Sequence, residues 1–322
     1  MSKILDILKT LTPEEKQELS KRLKVEAMDE KSRFKNGAYC PLCSSIHVFK
    51  NGKLKGKQRY FCKDCHKNFT IYKGTILHGS RHDVFVWKQY IDLMFVEGYS
   101  LTKTAAKLGL SLQTAALWRY KILNTLVDKF MGDNLSGIIE ADETFVRESS
   151  KGVEVTHRAA RKSGIGKFSK EEPVKRGLSK EQFGALIALD RRGNVVSEVY
   201  GRGKVNSKQI SAVLHDRVSK DSILITDACR AYVKFAKEEG IQLKQLKGGE
   251  AMNKLYHINT CNSYHSHLKN FLRRFNGIST KRLTEYLAWF KFIKQKNDVG
   301  YLFNELILGD SRNTPLQEHP SL

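Results

Sequence analysis

The chain changes its hydrophobic period several times. Residues 1–30 carry apolar positions at helical spacing and predict two short helices. Thr12-Pro13-Glu14-Glu15 reads as a capping box with proline at the first helical position, so the second helix starts near 13, with Leu19 and Leu23 on one face. From 82 to 125 apolar residues recur every three or four positions, again helical. From about 136 the pattern turns to strands. GIIEADETFV is a short β-rich run, and FGALIALD and NVVSEVY flank Arg191-Arg192-Gly193 as a hairpin. Ile210, Val213, Leu214 and Val218 define one helical face within 207–219. SILIT predicts a buried strand ending at Asp227, RAYVKFAKEEG a helix stopped by Gly240, and IQLKQL a fifth strand. Two helices follow, at about 260–275 and 280–296, and the tail from 309 carries no periodic pattern and reads as disordered.

The chain has 322 residues, room for two or three domains, and with 40% hydrophobic residues it can bury a core. Lys and Arg number 56 against 34 Asp and Glu, a net +22 with an isoelectric point near 9.7. That imbalance predicts attraction to polyanions, nucleic acid first. Residues 147–180 hold ten Lys or Arg against four Glu and read as a basic insertion. The amino terminus has no signal-like apolar run and no stretch is long enough to span a membrane, so a soluble, cytoplasmic protein is expected.

Cysteine usage agrees with a reducing compartment. Cys40-Pro-Leu-Cys43 and Cys62-Lys-Asp-Cys65 form two knuckles separated by eighteen residues. Each knuckle turns two sulfurs toward one point, and the pair completes a tetrahedral four-sulfur site that suits structural Zn²⁺. Tyr39, Phe49, Tyr60, Phe61 and Phe69 are expected to pack around it. Lys53, Lys55, Lys57 and Arg59 line the hairpin between the knuckles as candidate phosphate contacts. Cys229 and Cys261 stand alone and read as small buried apolar residues. Residues 100–122, SLTKTAAKLGLSLQTAALWRYKI, have the layout of a helix-turn-helix, with Gly109 in the turn, Ser111 capping the second helix, and Ala115 and Trp118 facing inward. Gln113, Thr114 and Arg119 are assigned to its outward face.

Two acids carry the candidate chemistry. Asp142 sits inside the first strand of the later region and Asp227 at the end of another. Carboxylates at neighbouring strand ends can hold Mg²⁺ or Mn²⁺ for phosphoryl transfer. Glu140 shares the face of Asp142 and is a reserve candidate, Glu143 points the other way, and Asp190 is read as a hairpin residue.

The order of these pieces, together with EADETFV (140–146), KRGLSKEQFGALIALDRRGNV (175–195), ITDACRAY (225–232) and HINTCNSYHSHLKNFLRRFNGISTKRLTEYLAWF (257–290), resembles the zinc-ribbon-bearing insertion-sequence transposases of the DDE, RNase H-like superfamily. The resemblance covers about 30–296. Most such families carry Glu as the third acid. This chain is similar to a subgroup with Asn there and Lys seven residues on, which maps the site onto Asp142, Asp227, Asn262 and Lys269. Asn262 and Lys269 share a helix face that Arg273 continues. His257, Asn259 and His265 lie in the same segment and are read as orienting the helix or touching DNA. The resemblance implies N-terminal helices at 1–30, a zinc ribbon at 31–76, a helix-turn-helix region at 80–127, an RNase H-like domain with a mixed five-stranded sheet at 135–300 and a tail at 301–322. It implies binding to element ends and target DNA, with Arg161 and Lys162 of the basic insertion as clamping residues, and action as a homo-oligomer. The rival expectations are a DNA-binding regulator that has lost its chemistry and an RNase H-like nuclease that does not transpose.

Overall fold

Local chemistry places the element ends. In the computed structural model, which describes residues 10–17, 19, 33–34, 37–54, 57–147, 149, 182–246, 255–295 and 299–308, the Thr12 hydroxyl accepts the Glu15 amide and the Glu15 carboxylate accepts the Thr12 amide at the start of a helical turn over 13–17. The chain divides into two units, residues 1–125 with 297–322, and residues 126–296.

In the first unit β1 (Val48–Leu54), β2 (Lys57–Cys62) and β3 (Asn68–Thr70) form an antiparallel sheet. Its small core is Cys40, Tyr60, Cys62, Phe69 and Ile71, with Tyr60 stacked on Phe69 at 5.7 Å. Strand alternation corrects one expectation. Phe49 and Phe61 are paired across β1 and β2 on the outer face, 5.3 Å apart, and Phe49 is exposed.

Three helices follow, α1 (Val84–Phe95), α2 (Leu101–Leu108) and α3 (Leu112–Phe130). Asp83 caps α1 and Ser100 caps α2. Gly109 takes the left-handed conformation (φ 62°) that a tight turn between α2 and α3 demands. The Ser111 hydroxyl accepts the Thr114 amide at 3.1 Å to open α3. Trp87 stacks on Trp118 at 3.7 Å and the Tyr90 hydroxyl donates to the Ala115 carbonyl at 2.6 Å, so α1 and α3 share one buried face. Residues 301–308, expected in the tail, are helical instead. They belong to α8 (Val299–Leu308), where Phe303 lies under the ammonium of Lys88 on α1 at 5.9 Å. The tail from 309, the insertion over 150–180 and most of 1–30 lie outside the described residues.

The second unit is built on a mixed five-stranded sheet, β4 (Ile138–Arg147), β5 (Gln182–Asp190), β6 (Val195–Arg202), β7 (Ile223–Asp227) and β8 (Gln242–Leu246), in the order β6-β5-β4-β7-β8. β4, β5 and β6 run as an antiparallel meander, and β7 and β8 continue parallel to β4. Helices α4 (Ser207–Leu214) and α5 (Arg230–Glu239) share a core with one face of the sheet, through Ile139, Ala141, Leu186, Ala188, Leu224, Ile210, Tyr232 and Phe235. Helices α6 (Asn259–Arg273) and α7 (Leu283–Lys294) pack on the other, α6 against β4 and β5 and α7 against β6. This is the expected mixed five-stranded sheet with flanking helices. Asp190 plays the expected hairpin role, its carboxylate accepting the amides of Arg192 at 2.9 Å and Asn194 at 3.0 Å. Among the described residues no helix is long and apolar enough to cross a membrane.

Candidate active site

The parallel ladder of β4 and β7 brings the two acids together. Its last pair is Glu140 with Ile225, and two residues further on each strand stand Asp142 and Asp227. Asp227 is the final residue of β7, so beyond this level β4 runs on without it. Asp227 thus sits at the carboxyl end of β7 and Asp142 in the middle of β4, just past the point where the parallel ladder stops. Burial pushes the Asp142 carboxyl up to about 6, with the Asp227 charge adding to the rise and the Glu143 amide and Lys269 opposing it. Asp227 is exposed, and its Oδ1 accepts the Cys229 amide at 3.1 Å.

Helix α6 supplies the other half. Asn262, His265 and Lys269 recur at i, i+3 and i+7, one stripe. His265 is buried, with Nδ1 3.7 Å from Asp142 Oδ2 and Nε2 3.6 Å from Cys261 Sγ. Burial and then Lys269 lower its pKa to about 4, so the ring is neutral at pH 7. Asn262 and Lys269 are exposed at the edge of this stripe. Asn262 is the fourth residue of α6, its amide bonds the Ile258 carbonyl, and no side chain caps the helix. It is therefore not a capping residue. Arg273 is exposed in the last turn.

Two glutamates complete the surroundings. Glu143 turns to the opposite face, as alternation predicts, and accepts the buried Tyr232 hydroxyl at 2.5 Å. Burial raises its carboxyl to about 7 against the pull of Tyr232, with Asp142 and Asp227 adding to the rise. Tyr232 was missed from sequence because nothing in RAYVKFAKEEG marks it beyond its place in the buried stripe. Glu140, the reserve candidate, is 1% exposed and already engaged by Arg191 at 2.6 Å, His257 Nδ1 at 3.3 Å and the Cys261 amide at 3.0 Å. It is not an open metal ligand.

The cysteine cluster lies in the first unit. The sulfurs of Cys40, Cys43, Cys62 and Cys65 all lie within 4.8 Å of one another, with Cys40–Cys65 and Cys43–Cys62 each at 3.6 Å. A tetrahedral zinc ion with bonds of about 2.3 Å spaces its sulfurs about 3.8 Å apart, so the donor set fits. Backbone amides of Cys65 and Asp64 lower the Cys62 thiol to about 6, whereas burial pushes the Cys40 thiol up to about 12, so the four sulfurs ionise together only against a cation.

The predicted nucleic-acid contacts of the first unit fall on β1, β2 and α3. Lys53 is exposed on β1, Lys57 opens β2 opposite Leu54, and the Arg59 guanidinium donates to the Asn51 carbonyl at 2.9 Å. Gln113 is exposed, and the half-buried Thr114 hydroxyl bonds Ser111 at 2.9 Å. Arg119 is a correction. It is 2% exposed and donates to the Tyr99 carbonyl at 3.0 Å, because its position falls on the inward stripe beside Trp118. Lys55, Arg161 and Lys162 lie outside the described residues.

Residues 134–294 match the ISXO2-like transposase domain. An uncharacterized protein in transposable element ISH50 of Halobacterium salinarum is 27% identical over 271 residues, covering 82% of this chain and 87% of the relative. Among solved structures, a chain of the pre-cleavage Mos1 transpososome is 11% identical over 74% of this chain and 82% of its own, with a TM-score of 0.23. A chain of the simian T-cell lymphotropic virus intasome, in complex with PP2A regulatory subunit B56 gamma, is 11% identical over 62% and 67%, with a TM-score of 0.30. These two likenesses are remote, and the assignment rests on the family match. That match spans half of the chain, which therefore belongs to the ISXO2-like transposase family, insertion-sequence transposases of the DDE superfamily.

Proposed function

We propose that this transposase binds the ends of its own insertion sequence and performs metal-dependent strand cleavage and strand transfer at phosphodiester bonds. The observation that carries the reading is that Asp142 and Asp227 stand two residues past the last pair of the β4–β7 ladder, with Asp227 and Lys269 both within electrostatic reach of Asp142. Asp142 and Asp227 would hold Mg²⁺ or Mn²⁺, hard ions suited to carboxylate oxygen. When bound, such ions activate a hydroxyl nucleophile and neutralise charge at phosphorus. The chain's own residues do the rest. Neutral His265 packs against Asp142 without placing a positive charge there, which leaves that carboxylate's charge for a cation. Lys269 offers an ammonium to a phosphate oxygen or to the leaving group. Asn262 brings an amide carbonyl, an acceptor without charge. Cleavage by water and transfer by a 3′-OH are both in-line displacements, so one site serves both.

The Cys40, Cys43, Cys62 and Cys65 cluster is assigned to structural Zn²⁺, making the small sheet a zinc ribbon. The α2-turn-α3 pair is read as a helix-turn-helix with Gln113 outward, and Lys53, Lys57 and Arg273 as backbone contacts to double-stranded DNA. A homo-oligomer follows from the need to hold two element ends at once, and the bacterial nucleoid is the expected location.

Two divalent ions held by two carboxylates would carry a formal +2, of which the scissile phosphodiester would offset one charge. Asn262→Asp would supply a third charge without DNA. Its DNA-free Mn²⁺ affinity, measured by calorimetry, is expected to rise about tenfold. An unchanged affinity would sink the charge argument. The absence of a third acid is also the one feature favouring a regulator without chemistry. Sequencing the DNA around the gene separates these readings. Matched inverted repeats with a short target duplication are expected of a working mobile element, and flanks with neither would count against transposition.

A further inference from the structure

We infer that Glu140 and Arg191 are positioning residues, a buried carboxylate and an exposed guanidinium that together clamp the first turn of α6 to β4 and so fix where Asn262 and Lys269 stand relative to Asp142. The inference rests on the active-site reading above and deepens it. Glu140 lies two residues before Asp142 on the same face of β4, and its carboxylate is 1% exposed. A buried carboxylate is costly unless paired and bonded. Here its partners come from the start of α6 and from the β5–β6 hairpin. The Cys261 amide donates to Oε2 at 3.0 Å, and Arg191 and His257 approach Oε1 at 2.6 and 3.3 Å.

Helix α6 has no side-chain cap of its own, and the residue before it, Ile258, cannot provide one. Glu140 therefore satisfies an open amide at the helix amino terminus from a neighbouring strand, where the positive end of the helix dipole favours a carboxylate. Arg191 grips the same turn from the β5–β6 hairpin, donating to Thr260 Oγ1 at 3.0 Å and the Leu255 carbonyl at 3.2 Å.

The clamp sets register along the strand. Cys261 meets Glu140, and His265 meets Asp142. Four helical residues rise about 6 Å and two strand residues about 6.8 Å, so helix and strand advance in step. By the same rise Asn262 stands about 4.5 Å before the level of Asp142 and Lys269 about 6 Å beyond it. Releasing the first turn would let both drift from the acids while the sheet stays intact.

The test combines hydrogen exchange with kinetics on the full chain. In Glu140→Gln and Arg191→Ala, amides at the start of α6 are expected to exchange about tenfold faster while those of β5 are unchanged, a local opening and not a global one. The cleavage rate at saturating end DNA should fall about 100-fold with DNA affinity held within about twofold, the signature of misplaced groups. Arg191→Lys, which keeps the charge, should recover part of that loss. In a Lys269→Ala background, Glu140→Gln should cost less than about threefold more, because both act through the same helix. Unchanged exchange in α6, equal acceleration in β5, or losses that multiply would overturn the clamp. If the wild type cuts no end duplex, the active-site reading falls, and the exchange arm alone decides the clamp.

Discussion

An Asp142→Asn chain is expected to be at least as stable as the wild type in the absence of divalent ions, and to lose strand cleavage by about a thousandfold or more. Both outcomes follow from one carboxylate held where its charge is unwelcome. Burial, with Asp227 as neighbour, raises Asp142 from the usual 3.8 to about 6. A carboxyl whose folded pKa is raised stabilises the fold below its unfolded pKa and loses that contribution as pH climbs through the folded one. The part of metal-free stability that Asp142 carries should therefore fall as pH rises from about 4 to about 6, and is read as the difference between the wild type and the variant, because the lowered pKa of His265 contributes with the opposite sign over the same range. The Asp142→Asn chain, with an amide that does not titrate, should lack this component. Divalent ions reverse the ranking, because they bind the ionised folded site and stabilise it by mass action. Thermal melts at a pH of about 7.5, with and without Mn²⁺, check this. The wild type should gain several degrees and the variant little. A variant that melts well below the wild type without metal would show that Asp142 has a structural role instead.

The second large effect belongs to the cysteine cluster. A Cys62→Ala chain, or the wild type treated with a strong chelator, is expected to lose the ordered ribbon over residues 37–72 and most of its affinity for end DNA. Among the described residues the sheet buries Cys40, Tyr60, Cys62, Phe69 and Ile71, with Phe34, Ala38, Val48, Cys65 and Tyr72 partly buried against them, too little apolar surface to stand alone. Structural zinc contributes about 10–16 kcal/mol in comparable small sites, so its removal decides whether this part folds. Metal analysis should give one zinc per chain in the wild type and none in the variant. Limited proteolysis should then cut within the ribbon while the second unit survives. A ribbon equally protected with and without metal would show that the aromatic contacts suffice.

Much of this was legible in the sequence because it rests on local rules. Period-two and period-three-to-four patterns marked the strands and helices of the second unit, and cap residues such as Thr12, Ser111 and Gly240 marked element ends. The cysteine spacing alone announced a four-sulfur cluster. What stayed hidden depends on contacts between distant segments. Arg191 reads as a turn residue, yet it reaches Thr260 across 69 positions. Arg119 reads as an outward cation, yet its stem packs inward and its guanidinium meets the Tyr99 carbonyl. Phe49 fits an aromatic core by composition, but strand parity turns it out. Asn262 and Lys269 are proposed from family resemblance, since an amide and a lysine seven apart on an exposed helix edge carry no distinctive spacing.

The central claim is that a site with two acids, an amide and a lysine cuts DNA. The most direct measurement is cleavage of a labelled duplex carrying the gene's own flanking ends, in Mg²⁺ or Mn²⁺, comparing the wild type with Asp227→Ala. Metal-dependent nicking at the element end that disappears in Asp227→Ala is the predicted result. Tight binding of the duplex with no nicking under either metal would contradict it.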